Sequence, residues 1–264
     1  MHKLVTASAN HQLDVLLEIV CVKLQLTKTQ FDTADGRYHT IGDWLLAPES
    51  AIRRFRPQIY PQGSLNLGTT VKPYQANEFD LDLVCELQLS ADQHPGKVYQ
   101  AIWDRMAEHD TYRKMMKRRS RCIRLEYAND FHLDIVPGIP DPDENGGHIL
   151  VPDLQADLAP EHPRNDIWKP SNPRGYKEWF KSKCYYPLKE ARASAEPLPQ
   201  PEPIHQKPAL KRAVQLFKRW RDIQFADRRE LQPPSIILTT LAGYFHAREM
   251  LHGYRIKWEM NHIA

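Results

Sequence analysis

The run FDLDLV, residues 79–84, limits the possible fold more than any other stretch of this 264-residue chain. Apolar and acidic residues alternate strictly, the signature of a half-buried strand. Residues two apart in a strand project from one face, about 6–7 Å apart along the chain. Asp80 and Asp82 therefore share a face, while Leu81 and Leu83 anchor the strand beneath. Two like charges on one face repel, and a hard divalent cation bound through oxygen relieves that repulsion. Taken alone, a D-x-D run is more often a strand with an acidic outer face.

A third carboxylate shifts the balance. FHLDIVPG sets Asp134 between Leu133 and Ile135, and CIRLEY upstream offers a partner strand across an Ala128-Asn129-Asp130 hairpin turn. Three carboxylates on adjacent strands can hold two Mg²⁺ ions about 3.5–4 Å apart, the arrangement used for in-line displacement at phosphorus. Upstream, Gly63-Ser64 precedes a β-branched run, Thr69-Thr70-Val71, closed by Lys72-Pro73. Glycine lets backbone approach a triphosphate closely, and a helix start offers free N–H donors to an anion.

With those residues in view, the chain resembles the nucleotidyltransferase superfamily of the DNA polymerase β type. The fuller strings QGSLNLGTTVKP, EFDLDLV and FHLDIVPGIPDP are similar, more narrowly, to bacterial relatives of cyclic GMP-AMP synthase. These are the CD-NTases, cyclic-oligonucleotide synthases of the CBASS anti-phage systems. A second match, LKRAVQLFKRWRD followed by PSIILTTLAGYF, resembles the paired helices of that family's helical lobe. The resemblance implies an α+β fold, a polymerase β-like palm of mixed sheet and helices plus a helical C-terminal lobe. It implies metal ligation by Asp80, Asp82 and Asp134, with Asp134 also helping to deprotonate the acceptor hydroxyl. Gly63 and Ser64 would orient a donor triphosphate, and Lys218 and Ser235 fall where the family contacts its tail; an exposed lysine and an ordinary N-cap serine are equally open for those two.

The implied cofactors are two Mg²⁺ or Mn²⁺ ions, and the implied substrates are nucleoside triphosphates, ATP among them. The cyclic product would act on a co-encoded effector protein, with regulatory protein partners possible, no nucleic acid required and no membrane involved. Family members run on through further helices after SIILTTLA, so a lobe truncated relative to the family is expected.

Composition sets outer bounds. With 41% hydrophobic and 26% charged residues the chain is neither disordered nor rich enough in apolar runs for a membrane span. No apolar h-region opens the sequence, and Cys21, Cys85, Cys122 and Cys184 form no C-x-x-C pair. A reducing cytoplasm is therefore expected. The net charge of +3 is uneven, because RKMMKRRSRCIR, residues 113–124, carries seven basic residues and no acid. Such a run reads as a solvated helix end and loop, or as an attractor of nucleotides or nucleic acid.

Helices are expected over 10–26 (N-capped by Asn10, one side core-facing), 38–46, a short piece at ESAIRRF, 97–110 and 172–183. Prolines through 137–173 point to an irregular insertion without a central strand, with a short hairpin around HILVPD. His132 shares the face of Asp134, and a ligand role for it carries little weight beside oxygen donors; Asp141, Asp143 and Glu144 read as turn residues. The organisation is thus a core over 1–187, a proline-rich linker over 188–208 and a helical lobe over 209–264. In that lobe Leu210, Val214, Phe217 and Ile223 are expected to face a core, and the second helix, apolar nearly all round, to be buried. Two other readings fit the same carboxylates: a same-fold enzyme modifying RNA ends or another acceptor, and a catalytically weak nucleotide-binding sensor.

Overall fold

The structure, a computed structural model, describes residues 2–74, 79–127, 131–144, 146–154, 166–184 and 196–251. Helices α1 (His2–Leu24) and α2 (Lys28–Leu46) lead through a 3₁₀ turn (Ala51–Phe55) into strand β1 (Gln58–Gln62). There follow α3 (Gly63–Leu67), β2 (Phe79–Glu86), α4 (Pro95–Ala107), α5 (Asp110–Met115), β3 (Met116–Arg118), β4 (Ile123–Tyr127) and β5 (Phe131–Pro140). Then come β6 (Ile149–Asp153), β7 (Ile167–Ser171), α6 (Pro173–Lys183), α7 (Ala209–Gln224) and α8 (Ser235–Leu251).

The sheet runs β1-β2-β5-β4-β3, with β6 and β7 branching from the far end of β5. Among the described residues only β2 and β5 pair in parallel; the remaining pairs are antiparallel. This is the mixed sheet expected of the α+β class. One face is covered by α2 and α4, whose Phe31, Ile41, Leu45, Ile102 and Met106 pack with Leu81, Leu83, Leu133 and Ile135. That burial is what specifies the register: a one-residue slip of β2 would drive Asp80 and Asp82 into this core.

Several sequence expectations need correction. Helix α1 continues through Asn10 to His2 because no breaker interrupts HKLVTASAN, and its Leu13 and Leu16 are exposed rather than core-facing. Helix α2 begins ten residues before Tyr38, where Thr27 and Gln30 form a reciprocal capping box. The prolines do not prevent strands. β5 is central over its first half, and Pro137 lies beyond Ile135, the last residue that β4 pairs, so no ladder bond to β4 is lost there. Pro152 and Pro170 likewise sit within β6 and β7.

In α7 the buried stripe is Leu210, Val214, Gln215, Lys218 and Asp222, whereas Phe217 and Ile223 are exposed. Helix α8 exposes Ile236, Ile237, Leu241, Tyr244 and Phe245, since α6 and α7 cover only the side carrying Thr239, Ala242 and Gly243. The expected hairpin turn 128–130, part of the linker and the end of the lobe beyond 251 lie outside the described residues. Of the linker, 196–208 lies against the core: Leu198 is buried there, and the Glu196 carbonyl accepts from Tyr38.

Candidate active site

Register brings the predicted residues together. Asp82 stands opposite Gln62 of β1 on one side and Asp134 of β5 on the other, while Asp80 stands opposite His132. The alternation in β2 holds as predicted: Leu81 and Leu83 are fully buried, Asp80 is exposed and Asp82 is half-buried on the opposite face. Gly63 follows Gln62 directly and adopts φ +68°, and a Cβ built on it would lie 2.0 Å from Asp82 Oδ2. Both the left-handed backbone and the approach of the carboxylate exclude a side chain there.

The electrostatics are those of an under-neutralised acidic cluster. Burial pushes the Asp82 carboxyl up to about 7, with the charges of Asp80 and Asp134 adding and Arg124 and Lys218 opposing. Asp80 is raised as well, first by the protein walls crowding the cleft, although water still reaches the side chain, and then by Asp134. The counter-charge is Arg124, opposite Asp134 in the β4–β5 register, whose Nε and Nη2 donate to Asp134 Oδ1 (2.8 Å) and Oδ2 (2.7 Å). These hydrogen bonds hold the guanidinium firmly in its charged form.

With both Asp134 oxygens on Arg124, no group of three or more His, Cys, Asp or Glu side chains stands ready to hold a metal ion among the described residues. The donor chemistry nevertheless fits a hard cation. Asp80 and Asp82 offer only carboxylate oxygens; burial first, and then neighbouring carboxylates, raises both pKa values, and a divalent ion would relieve the repulsion.

A cleft of about 380 Å³ opens beside these carboxylates, lined by Asp80, His132, Ser64, Thr70, Lys218 and Ser235 among others. Four of the seven predicted residues therefore face one cavity; Asp82 and Asp134 adjoin it through the strand register, and Gly63 through its close approach to Asp82. Lys218 is buried and donates from Nζ to the Thr69 carbonyl at 3.0 Å; burial, then neighbouring Arg221, pushes its pKa down to about 8. Ser235 opens α8, and its Oγ accepts from Arg221 Nη1 at 2.8 Å. Arg221 in turn pairs with Asp222, which also accepts from Gln232.

Sequence reasoning missed Arg124, Thr70 and Arg221. For Arg124 the signal existed: closing the predicted hairpin so that Tyr127 meets Phe131 sets Arg124 opposite Asp134. The other two occupy a loop and a helix face that no local pattern marks. The basic run is solvated, as expected: Arg113, Lys114, Lys117, Arg118, Arg119 and Arg121 are all exposed, and Arg124 alone of the seven is half-buried. Arg113 pairs with Asp110, Arg121 with Asp153 and Arg124 with Asp134, while Arg118 lies over Trp103 and donates to Gln100.

Comparison with known proteins bears on the family and the fold. Residues 13–183 match the Second Messenger Oligonucleotide or Dinucleotide Synthetase domain. A c-di-GMP synthase of Roseivirga ehrenbergii is 38% identical over 247 residues, 92% of this chain and 63% of that protein. The cyclic dinucleotide synthase CdnG of Bradyrhizobium diazoefficiens is 27% identical over 252 residues, 88% of this chain and 58% of its own length. The chain thus spans roughly three fifths of these curated relatives. The solved structure of the Bradyrhizobium CD-NTase CdnG in complex with GTP aligns with a TM-score of 0.66 at 25% identity, over 88% of this chain and 70% of that one.

Proposed function

The chain belongs to the Second Messenger Oligonucleotide or Dinucleotide Synthetase family, and on that premise we propose that it is a metal-dependent nucleotidyltransferase making a cyclic di- or oligonucleotide from nucleoside triphosphates. The observation that carries this reading is the pairing of Asp82 with Asp134 in one line of strand register, with Gly63 packed against the Asp82 carboxylate, beside a cleft lined by Ser64, Asp80, Lys218 and Ser235. Guanine nucleotides are proposed as substrates beside ATP, because one relative is named for c-di-GMP and another is described in complex with GTP. Cytoplasmic anti-phage signalling through a co-encoded effector is proposed on the family resemblance. Among the described residues no helix is long and apolar enough to cross a membrane.

Asp80 and Asp82, joined by Asp134, would hold the divalent cations, which supply charge neutralisation at the reacting phosphate and lower the pKa of the acceptor hydroxyl. Gly63 leaves room for the Asp82 carboxylate beside the turn, and the Ser64 hydroxyl that follows donates to the donor triphosphate. The Lys218 ammonium and the Ser235 hydroxyl steady the far phosphates at the opposite wall. The acceptor ribose oxygen forms a bond to the α-phosphorus, the bond to pyrophosphate breaks, and the hydroxyl proton passes toward Asp134. A second transfer within the linear product closes the ring. The alternative is an RNA acceptor, which the exposed basic residues between Arg113 and Arg121 would attract. The test is incubation with the four nucleoside triphosphates and Mg²⁺ or Mn²⁺, followed by phosphatase and mass spectrometry. Phosphatase-resistant cyclic products support the reading; tailing of an added RNA without them overturns it.

A further inference from the structure

The loop that follows α3, residues 68–72, has no ladder partner, yet four of its carbonyls are held by side chains from one stretch of chain. Lys207 Nζ donates to Gly68 O (3.3 Å), Lys218 Nζ to Thr69 O (3.0 Å), Gln215 Nε2 to Thr70 O (2.6 Å) and Arg219 Nη2 to Lys72 O (2.5 Å). Gln215 is fully buried, and nothing in the proposed chemistry uses it. Its amide orientation is itself fixed. Gln25 Nε2 donates to Gln215 Oε1 (3.0 Å), while Gln25 Oε1 accepts from Lys207 Nζ (2.6 Å). With Oε1 so engaged, Nε2 is the end that faces Thr70.

Thr70 carries this order into the cleft, because its Oγ1 lies 3.0 Å from Ser64 Oγ. A serine hydroxyl has one proton. To give that proton to a phosphate oxygen, Ser64 must accept its other hydrogen bond, and Thr70 is the donor in reach. We propose that Gln215 and Thr70 are positioning residues: Gln215 fixes the loop through the Thr70 carbonyl, and Thr70 aims the Ser64 hydroxyl at the donor triphosphate. The proposal rests on the nucleotidyltransferase reading, since it presumes a triphosphate at Ser64.

The test is a double-mutant cycle read as affinity for a non-hydrolysable GTP analogue with Mg²⁺, alongside melting temperature. Thr70→Val and Gln215→Leu should each weaken binding about 5- to 10-fold, the loss expected for one positioned hydrogen bond. In a Ser64→Ala background either change should alter binding less than about twofold, because residues acting through Ser64 are not additive with its loss. Thr70→Ser, which keeps the hydroxyl, should bind as the wild type does. A merely structural role would lower the melting temperature and leave the cycle additive. Thr70 is half-buried in a loop, so Thr70→Val keeps the test open where Gln215→Leu fails to fold. Wild-type affinity in Thr70→Val, additivity with Ser64→Ala, or failure of Thr70→Ser to rescue overturns the inference. Absence of binding by the wild type overturns the functional reading and this inference with it.

Discussion

Gly63 and Asp82 are fitted to one another: the space a Cβ would take at Gly63 is occupied by Asp82 Oδ2, 2.0 Å from that position. A methyl group there must push the carboxylate aside or tilt the β1–α3 turn, whose φ of +68° already disfavours any side chain. Gly63→Ala should therefore reduce turnover about 100-fold, the cost of misplacing a reactive group by an ångström. Gly42→Ala is the control. Its Cβ would meet only Ile59 at 3.8 Å inside helix α2, so activity should stay near wild type while the helix gains stability. Steady-state kinetics on the two variants checks the pair.

Asp82 sets a conflict between stability and function. Its carboxyl is pushed up from the ordinary 3.8 to about 7 by burial and then by the charges of Asp80 and Asp134. The folded protein thus binds the extra proton between those values, and stability present at low pH is lost as pH rises through about 7. Asp82→Asn removes that buried charge. Without metal, the variant should melt about 2–6 °C above wild type at pH 8 and by a clearly smaller margin at pH 5. Melting curves at the two pH values decide it; an equal difference at both would show that the carboxylate is not under strain.

Arg124 neutralises Asp134 in the metal-free cluster. Arg124→Gln should lower the metal-free melting temperature, because removing one partner leaves a buried carboxylate unpaired. Added Mn²⁺ should then raise the melting temperature more in the variant than in wild type, since the ion supplies the missing positive charge. Equal metal-induced shifts in the two proteins would contradict this placement of Arg124.

Lys218 offers a pH signature on the ligand side. With its pKa pushed down to about 8, the ammonium that would meet a phosphate is lost just above neutrality. Affinity for a GTP analogue should fall about tenfold for each pH unit above 8. Lys218→Met should bind more weakly at pH 7 and show no such fall. Calorimetric titration between pH 7 and 9.5 provides the comparison.

What the sequence made legible follows from where each signal is stored. The carboxylate face of β2 was readable because alternation is a local property, and burial of Leu81 and Leu83 leaves one register possible. Asp134 was readable for the same reason, and so was the Gly-Ser turn before it. Arg124 lay one step further, in the pairing arithmetic of a hairpin. Gln215 could not be read at all, since its meaning depends on a loop 145 residues away.

The errors have a common origin. Phe217, Ile223 and the α8 residues were expected inside on hydrophobicity alone, yet which face is covered depends on the neighbouring elements. In α7 the covered stripe carries Lys218 and Asp222, and their polarity belongs to the cleft. The proline-rich stretch misled for the opposite reason: proline lacks a donor, and strands tolerate it wherever no neighbour needs one.

The central claim, that Asp80 and Asp82 carry a metal-dependent transfer to phosphorus, is tested most directly by pyrophosphate release. Wild type, Asp80→Asn and Asp82→Asn would be supplied with GTP and ATP, with Mn²⁺ or with chelator. The account predicts release by wild type only when metal is present, and a fall of at least about 100-fold in each variant while the fold is retained. Release that persists in either variant at the wild-type rate, or in chelator, would contradict it.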